Sequence, residues 1–187
     1  MTHGVEEVNL YASLLGSSWE RLPEMIHWAH STGVKRGRFD VRHGSSRATG
    51  MLVKKSRLPP PGSDVKTTLV VGIQSPGVQR WERFFGNQLL TTTQWVEGSL
   101  LVERFGRWEL LFCVSPVDGG LSYRQVGARY CLGTKRLRIP LSCAPQIAAQ
   151  EFANTPSGIQ VTVTVKLPMI GLLITYDGTL QREEDSR

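Results

Sequence analysis

A strictly alternating segment near the end of the chain limits most strongly what this sequence can fold into. Between residues 159 and 167, five apolar side chains alternate with four polar ones, as Ile159, Val161, Val163, Val165 and Leu167 against Gln160, Thr162, Thr164 and Lys166. An alternation with a period of two residues is typical of a β-strand with one buried face and one solvent-exposed face. Because such a strand needs partners, the segment predicts a sheet that covers an apolar interior.

Short segments of the same kind follow one another from Asp64 almost to the end of the chain, with turn residues between them. Asp118-Gly119-Gly120 is a strong hairpin signal, and Gly86-Asn87 is a second turn. An antiparallel run of about ten twisted strands tends to close on itself or to split into two packed sheets. We therefore predict a mainly β protein, an antiparallel up-and-down, calycin-like barrel, with a β-sandwich as the alternative.

The N-terminal part of the chain has the period of a helix instead. Leu10 and Leu14, and then Trp19, Leu22 and Ile26, recur at helical spacing on either side of a break at residues 16–18. The pattern predicts a helical hairpin whose second helix begins at Ser18 as N-cap. With one apolar face, this hairpin is expected to pack on the barrel as a cap.

These segments predict a single domain over residues 1–187. Within it, we expect the helical cap at 8–32, the barrel at 38–181 and a frayed acidic tail at 182–187. Residues 48–57 add a short amphipathic helix before a run of three prolines.

The formal net charge is +6 and the isoelectric point about 9.5, which permits contact with nucleic acid or an anionic surface. The basic residues are spread along the chain in short clusters, such as Lys54-Lys55-Ser56-Arg57 and Lys135-Arg136-Leu137-Arg138. A solvated basic surface is therefore the favoured interpretation, and nucleic acid is not an expected partner.

Location and redox state follow from what the sequence lacks. No apolar run approaches the roughly 18–20 residues of a membrane span, and the first residues have no apolar signal-peptide core. The expected location is the cytoplasm. Cys113, Cys131 and Cys143 form neither a disulfide framework nor a CxxC motif.

The most informative pattern for function is a charge placed between large apolar neighbours on two strands. Trp81, Arg83 and Phe85 share one face, and Glu103 and Phe105 share another two strands later. If these faces line the barrel, Arg83 and Glu103 are expected to pair, because an unpaired buried charge is very costly. Such a pair either fixes the barrel's register or forms a polar handle at the base of an apolar pocket, and both interpretations stay open.

In the second interpretation, Arg83 holds a carboxylate or carbonyl of a ligand, and Glu103 orients that group or acts as a base. Tyr123 is a third candidate, since a phenol on a barrel wall can donate a hydrogen bond. Seven aromatic side chains are the candidate ligand contacts: Trp81, Phe85, Trp95, Phe105, Trp108, Tyr130 and Tyr176.

No motif for metal, nucleotide or nucleophilic catalysis occurs. His27 and His30 have metal-ligand spacing, but no third ligand stands near them in sequence, so a packing role or a hydrogen bond from helix to barrel is favoured. The chain has no GxSxG, phosphate loop or GxGxxG. We expect no cofactor and no metal.

Several segments in order resemble a bacterial family, the domain-of-unknown-function family 4166. The matching stretches are residues 10–16, 22–30, 37–41, 58–62, 81–86, 101–106 and 167–173. In that family the domain often follows a saccharopine-dehydrogenase-like reductase domain, and the resemblance implies no agreed catalytic residues. It does imply that the segments around Arg83 and Glu103 are part of the family pattern.

Three functions follow as hypotheses. The first is binding of an apolar or amphipathic small organic molecule in the barrel cavity. The second is a small cofactor-independent enzyme in the same cavity, a cyclase or isomerase that uses pericyclic or conformational-trap chemistry on a hydrophobic, polyketide-like substrate. The third, suggested by charge alone, is a binder of nucleic acid or an anionic surface.

Overall fold

A computed structural model describes residues 9–56 and 58–182 of the chain. Within these residues, four α-helices precede or interrupt the strands: α1 (Leu10–Leu15), α2 (Ser17–Glu20), α3 (Glu24–His30) and α4 (Arg47–Ser56). No helix among them is long and apolar enough to span a bilayer.

Eleven β-strands make up most of the described chain. They are β1 (Gly33–His43), β2 (Gly62–Ser75), β3 (Val78–Phe85), β4 (Gln88–Glu97), β5 (Leu100–Phe105), β6 (Trp108–Val117), β7 (Gly120–Leu132), β8 (Lys135–Arg138), β9 (Gln146–Thr155), β10 (Gly158–Leu167) and β11 (Gly171–Gln181). A short 3₁₀ turn at Leu141–Cys143 precedes β9.

Ten of the strands form a closed antiparallel barrel. Strands β1 to β6 pair in sequence order, β6 pairs with β7, and β7 continues through β9, β10 and β11 back to β1. The additional strand β8 pairs only with β7 and lies outside the ring. The barrel prediction is confirmed, and the sandwich alternative is wrong, because an unbroken ring of hydrogen bonds leaves no pair of separate sheets.

The tight turns explain why the barrel forms from neighbouring strands. The hairpin predicted at Asp118-Gly119 joins β6 to β7, and Gly119 has the positive φ of 72° that such a turn requires. Gly86, with φ of 56°, turns β3 into β4. Each of these positions favours glycine because a Cβ is strained there.

The N-terminal helices close one end of the barrel, here called the capped end. Their arrangement differs from the predicted two-helix hairpin, since Gly16 (φ 54°, ψ −134°) ends α1 and Pro23 precedes α3. Ser18 lies inside α2 and is not an N-cap, so that prediction is wrong. The capping side chain is Asn9, which accepts hydrogen bonds from the first-turn backbone of α1.

Helix α4 lies at the opposite end, here called the open end, and confirms the helix predicted at 48–57 except for Arg57, which is outside the described residues. Thr49 Oγ1 donates to the carbonyl of Leu172 at 3.2 Å, which ties the helix to the start of β11. Thr49 and Val53 are buried against the barrel, whereas the opposite face of the helix is exposed.

The end of the described chain is held in place. The backbone N–H of Arg182 donates to the carbonyl of Ser157 at 2.9 Å, and its guanidinium pairs with Glu24 at 2.6 Å. The predicted frayed tail therefore does not include Arg182, and residues 183–187 lie outside the described residues. Cys113, Cys131 and Cys143 are free thiols.

Candidate functional site

The barrel encloses a cavity of about 390 Å³. Because side chains alternate along each strand, every second residue of the ten strands faces this space. Toward the open end the wall is apolar and aromatic, with Phe85, Leu90, Phe105, Trp108 and Val165. Toward the capped end it carries charged and hydroxyl groups, which form two clusters.

The first cluster lies on three consecutive strands. Arg83 on β3 donates from Nη1 to Thr92 Oγ1 on β4 at 2.8 Å, and its Nη2 lies 3.4 Å from Oε1 of Glu103 on β5. The Arg83 and Glu103 side chains retain 15% and 20% of their exposure, so both reach the cavity while remaining largely desolvated. The predicted internal pair is confirmed.

Trp81 supports the guanidinium from the side of the cap. Its ring lies 5.2 Å from Cζ of Arg83, within the range of a cation–π contact. The indole Nε1–H donates to Oε1 of Gln79 at 3.2 Å, which fixes the ring. Thr92, Glu103 and the Trp81 ring therefore all hold the guanidinium of Arg83.

The second cluster joins the helical cap to the opposite wall. His30, fully buried on α3, places Nε2 2.7 Å from Oε2 of Glu151 on β9 and 3.4 Å from the hydroxyl of Tyr123 on β7. Tyr11 on α1 packs against the His30 ring with centroids 3.8 Å apart. The Tyr11 hydroxyl donates to Oε1 of Gln94 at 3.1 Å and so reaches the first wall again.

The hydrogen bonds indicate how the His30 imidazole is protonated. The Glu151 carboxylate accepts, so Nε2 donates and carries the proton. Nδ1 is buried and has no hydrogen-bond partner among the described residues.

Burial keeps the phenols of the cavity protonated. Desolvation raises the pKa of Tyr11 and Tyr123 well above their usual value, and the nearby Glu151 carboxylate raises both further. Desolvation also raises the pKa of Tyr176 to about 12, although the positive charge of Arg83 opposes the rise. The phenols are therefore hydrogen-bond donors at neutral pH.

Eight of the sequence-predicted site residues line the cavity, namely Trp81, Arg83, Phe85, Glu103, Phe105, Trp108, Tyr123 and Tyr176. Trp95 does not, because it follows the inward-facing Gln94 and points to the outer surface of β4. Tyr130 is also outside the lining. It packs edge-on against Trp108 with centroids 5.0 Å apart, at the rim of the open end.

Sequence reasoning missed several polar members of the site. Glu151 shares a face of β9 with Ile147 and Ala149, so the alternation of this segment could have predicted that Glu151 points inward. Tyr11 and Gln94 had no such signal, because their contact depends on where the cap docks. The predicted hydrogen bond from His30 to the barrel is confirmed.

The two histidines do not form a metal site together. Nε2 of His27 lies 2.8 Å from the carbonyl of Trp19, within the cap itself. Among residues 9–56 and 58–182, no three His, Cys, Asp or Glu side chains are grouped as metal ligands.

The fold and the cavity define a class of protein: a closed ten-stranded antiparallel barrel, capped by helices at one end and hollow inside. The chain belongs to the family described as "Domain of unknown function (DUF4166)", whose profile matches residues 22–180. The resemblance seen in the sequence is thereby confirmed. No curated protein matches the chain.

A solved structure shares the barrel. It is a protein of unknown function from the DUF3598 family of Nostoc punctiforme PCC 73102, 16% identical, with a TM-score of 0.51. The match covers 81% of this chain and 47% of that chain, so this chain spans about half the length of its structural relative. At this identity the likeness shows the fold alone.

Proposed function

We propose that this barrel binds an apolar or amphipathic small organic molecule in its cavity. The observation that carries the proposal is the division of one enclosed space into an apolar half and a polar half. Its volume of about 390 Å³ is within the roughly 300–1,000 Å³ of small-molecule pockets. A mostly apolar wall with a few convergent polar groups is the usual composition of such pockets.

The charges inside the cavity favour a neutral polar group on the ligand. Arg83 already faces Glu103, and Glu151 adds a second carboxylate on the opposite wall. An anionic ligand would add a negative charge to a desolvated space whose lining holds two carboxylates and one arginine that is already paired. A hydroxyl or carbonyl group could instead bond to Arg83 or Tyr123 without that cost.

The small side chain of Ala149 offers a direct test. Ala149 lines the cavity, whereas its neighbour Ala148 on the same strand is exposed. Ala149→Phe should fill the cavity and weaken binding of the neutral dye Nile red at least tenfold, roughly the loss of one well-placed apolar group. Ala148→Phe adds the same side chain outside and should leave dye binding unchanged.

Native mass spectrometry of the purified protein complements the dye measurement, because a retained molecule would appear as a mass above that of the chain. The proposal fails if wild-type protein binds no Nile red and carries no added mass. It also fails if the two phenylalanine variants bind the dye equally well while both remain folded by circular dichroism.

A second candidate function is a cofactor-independent cyclase or isomerase in the same cavity. The observation that favours it is the presence of two carboxylates, Glu103 and Glu151, on the cavity wall, with the Tyr123 phenol close to Glu151, because such groups could move a proton. Incubation with a hydrophobic extract should then convert a component to an isomer of equal mass and different retention time. Glu103→Gln or Glu151→Gln should abolish that conversion, and its absence in wild-type protein excludes this candidate.

A further inference from the structure

The two ends of the barrel differ in charge. At the open end the described connections between strands contain no Asp or Glu, namely residues 44–56, 58–61, 86–87, 106–107, 133–134 and 168–170. They do contain Arg47, Lys54, Lys55 and Arg107, all exposed. At the capped end the helices and turns carry Glu20, Glu24 and Asp118, with Arg21 beside them. The connections at the open end therefore carry a net positive charge.

Helix α4 presents much of this charge on one face. Met51, Lys54 and Lys55 stand at i, i+3 and i+4, so they share a side of the helix. All three are exposed, and Met51 retains 70% of its surface. The opposite side carries Leu52 and Ser56, which line the cavity.

A second apolar side chain stands exposed at the same end. Met169, at the tip of the β10–β11 turn, is fully exposed and has a left-handed backbone with φ of 64°. The turn is adjacent to α4, because Thr49 on the helix bonds to Leu172 just after it. Met51 and Met169 thus project from the basic rim of the open end into solvent.

We infer that this basic rim, defined as Arg47, Met51, Lys54, Lys55, Arg107 and Met169, docks on a bilayer surface that contains anionic phospholipid. Lysine and arginine near such a surface are attracted by its negative potential, and exposed apolar side chains enter the boundary between headgroups and acyl chains. The two methionines favour a bilayer over nucleic acid, since phosphodiester contacts draw on charge alone. Docking places on the lipid the end of the barrel where Leu52 and Ser56 of α4 line the cavity.

Docking of the basic rim on a membrane does not depend on ligand binding in the cavity. The rim can bind a membrane whether or not the cavity takes a small molecule, and the two are measured separately. If both hold, an apolar ligand could pass between the bilayer and the cavity without crossing water.

Vesicle flotation tests the inference with the full chain. Wild-type protein should float with vesicles of phosphatidylcholine and phosphatidylglycerol at low salt, but not with phosphatidylcholine alone. High salt should release it, because ions screen the exposed lysines. Lys54→Gln combined with Lys55→Gln should weaken binding about 25-fold, since each lysine contributes about a fivefold gain.

The matched control combines Arg21→Gln with Arg80→Gln, which removes the same charge from exposed positions away from the rim. It should float like wild type, whereas Met169→Asp should float less. Equal loss in the control and the lysine variant would overturn the inference, as would absence of binding to anionic vesicles. Lysine-dependent binding to mixed-sequence DNA without vesicle binding would assign the rim to nucleic acid instead.

Discussion

Nε2 of His30 lies 2.7 Å from Oε2 of Glu151, across 121 positions of sequence, and this contact joins the helical cap to the barrel wall. His30 has no exposed surface, and the Glu151 side chain keeps only 14%. A buried histidine–carboxylate contact of this kind is costly to break, because either partner left alone is a desolvated polar group. At the capped end this contact is joined by the hydrogen bond from Tyr11 to Gln94 and by the packing of the His30 ring against Tyr11 and Trp81.

His30→Ala should lower the free energy of unfolding by about 3 kcal/mol, since it opens a void and leaves the Glu151 carboxylate without its partner. Urea denaturation followed by tryptophan fluorescence measures this. His27→Ala is the matched control on the same helix, and it should cost about 1 kcal/mol, the value of one partly exposed hydrogen bond. Equal losses in the two variants would mean that the contact with Glu151 contributes nothing.

A double-mutant cycle should show that Arg83 and Glu103 interact. Arg83→Met and Glu103→Leu each leave the other charge uncompensated inside the barrel, whereas the double variant removes both charges. We expect the double variant to be more stable than the sum of the single losses predicts, by about 1–2 kcal/mol. Thermal or urea unfolding provides the four stabilities, and strict additivity would contradict the pairing.

The buried phenols should make the protein less stable at high pH. Burial raises the pKa of Tyr11, Tyr123 and Tyr176 above the unfolded value of about 10. The folded state therefore binds more protons than the unfolded state above that pH, so stability is present below pH 10 and is lost as pH rises toward the folded pKa.

Tyr176, with a folded pKa of about 12, allows a quantitative check. Tyr176→Phe removes its ionisation and should lessen the fall in stability by about 1 kcal/mol at about pH 10.5. Urea midpoints at neutral and alkaline pH measure this difference. Parallel pH profiles for the variant and wild type would show that the Tyr176 phenol has the same pKa in the folded and the unfolded state.

Gly178 should be important for the stability of the β1–β11 pairing. A Cβ at Gly178 would stand 2.1 Å from the carbonyl oxygen of Arg38 and 2.6 Å from Cα of Phe39, both backbone atoms that cannot move aside cheaply. Gly178→Ala should therefore cost at least about 2 kcal/mol. Gly72→Ala is the control, because nothing lies within 4 Å of its Cβ position, and its stability should change by about 0.5 kcal/mol or less.

Local patterns determined much of this protein. Alternation in β10, the Asp118-Gly119 turn and the charge pattern around Arg83 and Glu103 predicted the strands, their connections and the inward face, because side-chain period and turn chemistry act over a few residues. The helical period of the N-terminus predicted a cap. The break after α1 at Gly16 was predicted, but the further division at Pro23 was not, since a helix boundary also depends on the surface the helix packs against.

Tertiary structure alone decided which distant segments of the chain come into contact. Closure of the barrel through β1 and β11, the approach of Tyr11 to Gln94 and the contact of His30 with Glu151 all join residues far apart in the chain. No local pattern encodes such contacts, because they depend on the strand tilt and register of the whole ring. The sequence by itself determined an amphipathic β-barrel with a charged pair inside. The packed barrel decided that this interior is hollow and where its polar end lies.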